Sequence, residues 1–385
     1  MAIAENLSKV DVTGIRRLFE IAEKKRDAIN LGIGEPDFDT PESIKEAAYK
    51  AMKMGRTKYG PTTGLLELRR VIAEKYNRAW NANIDEDEVF ITVGGENALF
   101  IAMAASLRQG DEALIISPSF PSYSAIATIL GASVRYFRTR MENGFKPDLE
   151  LLHESISSKT RLIIVNSPCN PTGAVYDTNI MERIVEIAAE NGCYVLSDEV
   201  YDSFTYSSSF VSLARFFKRY DRIVVANSFS KLYSMTGWRL GFLITGNTAL
   251  RGSIPKLQLY VNTCPATFTQ YAALEALNSP EVAKAVERFR EAYRRRRDLV
   301  YRLLLEAGVE VNLPEGAFYI FPKVPLNMKS NDFCSSLLDV KNVVTVPGSG
   351  FGEGGEGHFR ISYAASEEKL AEACRRIAEF IQEKL

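Results

Sequence analysis

In the stretch SFSKLYSMTGWRLGF, from Ser228 to Phe242, Lys231 stands between two hydroxyls that precede it, Ser228 and Ser230, and an arginine eight positions on, Arg239. Apolar residues surround it, and the segment from Arg222 to Ala226 just before it reads as a hydrophobic strand. A lysine in such a place loses part of its hydration, which lowers its pKa and frees the amine as a nucleophile. Hydroxyls and a guanidinium are common partners of a phosphate group. The combination points to a lysine that forms a Schiff base with a cofactor carrying its own phosphate, and pyridoxal 5'-phosphate answers that description.

Other residues could complete such a site. Asp198 ends an otherwise apolar run, where an unpaired carboxylate is costly. It reads either as a structural ion pair or helix cap, or as the partner of a pyridinium nitrogen, which keeps the ring an electron sink. Tyr201, three residues on, could hydrogen-bond the ring hydroxyl. Gly94, Gly95, Glu96 and Asn97 follow a strand and open a helical pattern, where backbone N–H groups can approach a phosphate. Phe120, in SPSFPSY, suits either a core position or a surface for a flat ring to stack on. The run NPTG from Asn170 to Gly173 is by itself only a turn signal. Arg360 lies inside the strand-like HFRISYA, so it needs an anionic partner: a substrate carboxylate or a structural Asp or Glu.

Three further patterns read as structural. GSGFGEGGEG (348–357) resembles a nucleotide loop, but Glu353 and Glu356 would repel phosphate and no helix pattern follows; a mobile loop is expected. The run from Arg294 to Arg297 is expected on the solvated face of a helix, with salt bridges. Ser228 and Lys231 match the S-x-x-K of serine acyl enzymes, yet the companions SDN and KTG are missing.

The elements that must position these residues are short apolar runs: VFITV (89–93), EALIIS (112–117), RLIIVNS (161–167), CYVLSD (193–198), RIVVANS (222–228) and LGFLIT (240–245). Amphipathic stretches such as Thr178 to Asn191 lie between them, the signature of an α/β unit with a mostly parallel sheet. The strand ends read GGEN, PSFPSY, NSPCNPTG, SDEVY and NSFSK. Ligands of open α/β sheets bind beyond the carboxyl ends of the strands, so these five ends would pool into one site. After about residue 276 a long helical pattern, three strand-like runs and a closing amphipathic helix from Ser366 indicate a smaller α+β part.

Composition narrows the classes. Of 385 residues, 47 are basic and 48 acidic, a net charge of −1 that gives no reason to expect a nucleic-acid or membrane-surface partner. The five scattered cysteines form no CxxC pair and fit a reducing cytosol better than a disulfide framework. No signal peptide is visible at the start, and no apolar run nears the ~20 residues that span a bilayer, so a soluble cytoplasmic protein is expected. Only two histidines occur, His153 and His358, which argues against a Ser-His-Asp triad and against a histidine metal site.

Taken in order, LGIGEPDFDTP, NPTG, SDEVY, SFSKxxxMTGWRLGF and FRISYA resemble the class I aminotransferases of fold type I, the aspartate and aromatic aminotransferase group, over essentially the whole chain. The resemblance implies an α/β fold: a large cofactor-binding domain (41–276) with a mostly parallel seven-stranded sheet flanked by helices, a small α+β C-terminal domain (277–385), and an N-terminal segment (1–40) that forms an arm and part of the small domain. It implies that Lys231 holds pyridoxal phosphate and then shuttles the proton. Asp198 would pair with the ring nitrogen, and Asn170 and Tyr201 with the ring oxygen. Ser228, Ser230, Arg239 and the backbone of Gly95 and Glu96 would hold the phosphate. Tyr59, in TKYGPTTG, would reach the phosphate in the neighbouring subunit of a homodimer with shared active sites. Arg360 would bind the substrate α-carboxylate, with Gly34 close by.

The implied reaction moves the amino group of an L-amino acid, aspartate or aromatic, to a 2-oxo acid such as 2-oxoglutarate in a ping-pong cycle. Two departures bear on substrate: the stacking position, often Trp, is Phe120, and Glu96 stands where some bacterial relatives carry a lysine for a distal carboxylate. A carbon–sulfur β-lyase on the same fold and a non-enzymatic cofactor-sensing regulator are the rival readings. The chain starts close to the family's first motif, which counts against the regulator.

Overall fold

Strand β1 (Ile29–Asn30) opens the described chain's sheet structure, and the main sheet follows: β2 (Val89–Thr92), β3 (Glu112–Ser117), β4 (Ser133–Arg138), β5 (Thr160–Asn166), β6 (Tyr194–Asp198), β7 (Ile223–Ser228) and β8 (Gly241–Ile244). The computed structural model describes residues 5–10, 27–206 and 209–384; residues 1–4 and 11–26 of the expected N-terminal arm lie outside the described residues. The seven strands run in the order β2-β8-β7-β6-β5-β3-β4. Only β8 is antiparallel to its neighbours.

Six of these strands coincide with the six apolar runs. Their side chains alternate between two buried faces: Ile163, Val165, Val195 and Val225 enter one core, and Leu162, Ile164, Leu196 and Val224 enter the other. A strand covered on both faces needs no polar alternation, which is why the runs are continuously apolar. Full burial of each such side chain contributes roughly 1.5–3 kcal/mol. The seventh strand, β4, was not among the apolar runs. It is an edge strand, SVRYFR, whose side chains alternate between exposed and covered positions and include Arg135 and Arg138.

The helix Thr178–Asn191 has the bounds that its pattern suggests. Asp177 caps its start by accepting from the Ile180 amide, and Gly192 ends it in the left-handed region at φ 64°. Met181, Ile184, Val185 and Ala188 make its buried stripe. The closing helix Glu367–Gln382 is capped by Ser366.

The later strands β9 (Tyr319–Ile320), β10 (Val343–Val344), β11 (Val346–Pro347) and β12 (Phe359–Ser362) are short. The order β11-β12-β9 makes a three-stranded sheet, and β10 pairs with β1, tying the start of the described chain to its last third. No helix among the described residues is long and apolar enough to cross a membrane.

Two expectations are corrected here. Arg294 and Arg295 do lie at the surface of the helix Pro280–Glu306, but Arg296 and Arg297 are buried. Arg296 makes a two-pronged ion pair with Asp37 at 2.8 and 2.9 Å, and Arg297 donates to the Pro314 carbonyl. The stretch 348–357 is not loose. Gly348–Phe351 forms a 3-10 turn, Phe351 is buried, and Gly354 N donates to Ser117 Oγ at 3.2 Å. Glu356, expected to repel a ligand, instead accepts from Ser330 N and Oγ at 2.8 Å.

Candidate active site

The sheet register brings the chemistry to one edge. Asn166 of β5 lies beside Asp198 of β6, and Asp198 lies beside Ala226 of β7, two residues before Ser228. Beyond these ends lies a cleft of about 420 Å³. Its wall includes Lys231, Asp198, Tyr201, Asn170, Ser228, Ser230, Arg239, Gly95, Glu96, Phe120, Gly34 and Arg360. Twelve of the thirteen residues to which the family resemblance gives a place in the site therefore meet there.

Tyr59 is the exception. It is 89 % exposed and does not line the cleft of its own chain.

Lys231 sits in the single helical turn Phe229–Leu232 that follows β7. Ser228 caps that turn by accepting from Ser230 N, and the two hydroxyl oxygens are 2.8 Å apart. The lysine amine donates to the Gly34 carbonyl at 2.6 Å. Burial pushes its pKa down to about 8; Glu35 pulls the other way, and the Arg360 and Arg239 guanidiniums add to the decrease. A substantial neutral fraction therefore exists near physiological pH, as nucleophilic or general-base work requires.

Gly94 has φ +79° and turns the chain from β2 into the helix Gly94–Ser106. A Cβ there would come within 2.6 Å of Arg239 Nη2, so glycine alone admits the guanidinium to the helix start. The two serines, Arg239 and this helix N-terminus present donors to one small volume, a cradle for a phosphate-like dianion.

Asp198 is buried at the end of β6. Its Oδ2 accepts from the Tyr123 hydroxyl at 2.6 Å and its Oδ1 from Val200 N at 3.2 Å. Burial lifts its pKa to about 6 against those two hydrogen bonds; Glu96 adds to the lift and Lys231 opposes it. Asn166 donates to the Asp198 carbonyl at 3.0 Å and accepts from Asn170 N at 2.8 Å, which joins the NPTG turn to the strand end.

Arg360 of β12 is only 6 % exposed. It donates to Asn170 Oδ1 at 2.8 Å and to the Gly32 carbonyl at 2.5 Å, and it lies over the rings of Tyr319 and Phe351. Among the described residues its Nε has no hydrogen-bond partner, and no Asp or Glu pairs with it. Of the two partners considered for Arg360, a structural carboxylate is absent from the described residues. A buried guanidinium with an unused donor is a receptor for an incoming anion.

Sequence reasoning missed several residues. Tyr319 shares a hydrogen bond with Tyr201 at 2.8 Å, and a Cβ on Gly34 would overlap the Tyr319 hydroxyl. Tyr123 reaches Asp198, Glu35 accepts from Thr236 across the cleft's rim, and Phe351 brings the 348–357 turn to the wall. Tyr123 stands in a strand end that the sequence had marked; nothing near Tyr319 sets it apart from a core tyrosine. Among the described residues no group of three or more His, Cys, Asp or Glu could hold a metal ion.

The family model of class I and II aminotransferases matches residues 26–377. The chain belongs to that family. This aminotransferase is 43 % identical to an aspartate aminotransferase of Pyrococcus abyssi, over 100 % of this chain and 99 % of the other. It is 42 % identical to aromatic-amino-acid aminotransferase 2 of Thermococcus litoralis, over 100 % and 99 % of the two chains. The crystal structure of an aromatic aminotransferase from Pyrococcus horikoshii superposes with a TM-score of 0.91 at 42 % identity, covering 95 % of this aminotransferase and 99 % of that chain. The expected fold, an α/β aminotransferase with a mostly parallel seven-stranded sheet, is the fold found.

Proposed function

We propose that this aminotransferase works with pyridoxal 5'-phosphate and moves the α-amino group of an L-amino acid, aspartate or aromatic, to a 2-oxo acid such as 2-oxoglutarate. The observation that carries the reading is the buried Lys231 amine, held near neutrality between a phosphate cradle, the Asp198 carboxylate and the partly unpaired Arg360. The donor set fits the cofactor. Ser228, Ser230, Arg239 and the amides of Gly95 and Glu96 match its phosphate, Asp198 its ring nitrogen, Asn170 and Tyr201 its ring oxygen, and Phe120 its flat face.

When bound, the cofactor supplies a carbonyl carbon that takes up the amine and a ring that draws in the charge left on the substrate carbon. The chain's own groups do the rest. Arg360 takes the α-carboxylate with its fork and fixes the Cα–H bond toward Lys231. Lys231 Nζ, free in its neutral form, accepts the Cα proton and returns it at the cofactor side. Asp198, ionised above about pH 6, stabilises a proton on the ring nitrogen. The Gly34 carbonyl receives the lysine amine whenever it is uncommitted.

The same reading divides the chain into an arm with part of the small domain (1–40), a cofactor domain (41–276) and the rest of the small domain (277–385). It also makes the working form a cytoplasmic homodimer with shared sites. Supporting that, Tyr59, Met54 and Tyr260 are large, exposed side chains, and Thr267 donates to the Lys58 carbonyl, joining the loop of Tyr59 to the segment that follows Tyr260. Four of the five free cysteines are buried, which suits a reducing compartment.

A half-reaction screen tests the reading. The purified protein should carry a visible absorbance that aspartate or an aromatic amino acid bleaches with release of the matching 2-oxo acid. Borohydride should lock the cofactor onto the peptide containing Lys231. Pyruvate and sulfide from cysteine, without transamination of any donor, would transfer the protein to the β-lyases.

A further inference from the structure

Tyr123 touches two of the residues assigned to the cofactor ring, and nothing in the reaction described so far uses it. It is fully buried at the start of the helix Ser122–Ile129. Its hydroxyl donates to Asp198 Oδ2 at 2.6 Å. Its ring meets Phe120 edge-on, with centroids 5.8 Å apart and an interplanar angle of 80°. We propose that Tyr123 is a positioning residue that aims the Asp198 carboxylate and braces the Phe120 wall, setting the ring-nitrogen partner and the stacking surface in register with each other.

The proposal rests on the pyridoxal phosphate reading of the cleft. From the described residues the Asp198 carboxylate accepts two hydrogen bonds, one at each oxygen, and that from the Val200 amide, at 3.2 Å, is the longer. Without Tyr123 the carboxylate could turn about its χ2 axis and would hold its charge against burial with one weak donor. The surrounding charges give little fixed support: Glu96 disfavours the anion, and Lys231 favours it only while protonated. Tyr123 does not compete for the charge, because burial raises its own pKa well above the ordinary value. The short Phe120–Pro121–Ser122–Tyr123 turn makes the coupling stiff, since both contacts leave the same four residues.

The test uses holoenzyme loaded with cofactor carrying nitrogen-15 in the ring, whose NMR shift reports whether that nitrogen holds a proton. Tyr123→Phe removes one oxygen and keeps the ring, and its fold is checked by circular dichroism and thermal melting. A charge-assisted hydrogen bond corresponds to a shift of about 1–2 pH units. The ring nitrogen should therefore lose its proton about 1–2 units lower than in the wild type, with kcat reduced and KM little changed. Phe120→Leu should instead speed cofactor release on dialysis and leave the nitrogen titration alone.

A folded Tyr123→Phe enzyme with the wild-type nitrogen titration overturns the aiming role. Phe120→Leu that retains cofactor as firmly as the wild type overturns the brace. If the wild-type protein takes up no cofactor, it is the underlying reading that fails, and the two failures are told apart.

Discussion

The Lys231 amine donates to the carbonyl of Gly34 at 2.6 Å, across 197 residues of sequence. The same short segment supplies the Gly32 carbonyl to Arg360 and the Glu35 carboxylate to Thr236. Its backbone thus offers acceptors to both cationic groups assigned to chemistry, without a fixed charge at either hydrogen bond. A carbonyl holds an amine in place while leaving it free to lose its proton; a carboxylate there would hold it charged.

Capture of the cofactor should follow from this. With the amine pKa lowered to about 8 by burial, the neutral form grows as pH rises toward that value. In protein stripped of cofactor, the rate of capture by Lys231 should climb about tenfold per unit below pH 8 and level off above it. Stopped-flow absorbance reads it directly. The linked effect on stability has a definite sign: between about 8 and 10.5 the unfolded chain binds a proton here that the folded chain does not, so this lysine makes stability rise with pH in that window. Lys231→Ala should abolish transamination, and a normal rate in that variant would refute the mechanism.

Arg360→Lys keeps the charge and loses the planar fork. A single ammonium cannot serve Asn170, Gly32 and a carboxylate in the geometry the guanidinium has. The half-reaction should lose about 2–4 kcal/mol of kcat/KM for amino donors and oxo acids alike, roughly 30- to 1,000-fold. A loss confined to one kind of side chain would assign Arg360 to the substrate's side chain instead.

Glu199 is a stability hinge next door to Asp198. It is fully buried and takes hydrogen bonds from Ser197 Oγ, Ser212 Oγ and Leu213 N at 2.7–2.9 Å, tying the end of β6 to the turn Leu213–Phe216. Glu199→Ala would strand three buried donors and should cost about 2–4 kcal/mol in urea unfolding. Burial lifts the carboxyl pKa to about 8 from 4.5, against those hydrogen bonds. The folded state then binds the extra proton between these values, so this group makes stability fall as pH rises from about 4.5 to 8. The slope should vanish in the alanine variant.

The strand ends were legible because their runs are buried on both faces, and such runs announce themselves without periodicity. Edge strand β4 was not, because half of its side chains face solvent. Lys231, Asp198 and Arg360 stood out as polar residues at apolar places. Arg296 did not: in a row of four arginines it looks solvated, and its partner Asp37 lies 259 residues away. Tyr123 and Tyr319 escaped for a related reason. A tyrosine reads as core until the partner of its hydroxyl is known, and that partner is tertiary.

Tyr59 supplies the prediction that tests assembly. It does not line the active-site cleft of its own chain and is 89 % exposed, so a role at the phosphate requires a second copy. Lys231→Ala should disable the site of the subunit that carries it, and Tyr59→Ala the site of its neighbour. In a hybrid of the two variants both defects fall on the same site, and the other site is whole. Mixing the two variants under conditions that exchange subunits should therefore restore activity, toward about a quarter of the wild-type value when half of the dimers are hybrids. If Tyr59 served its own chain, each hybrid would hold one defect per site and no activity would return.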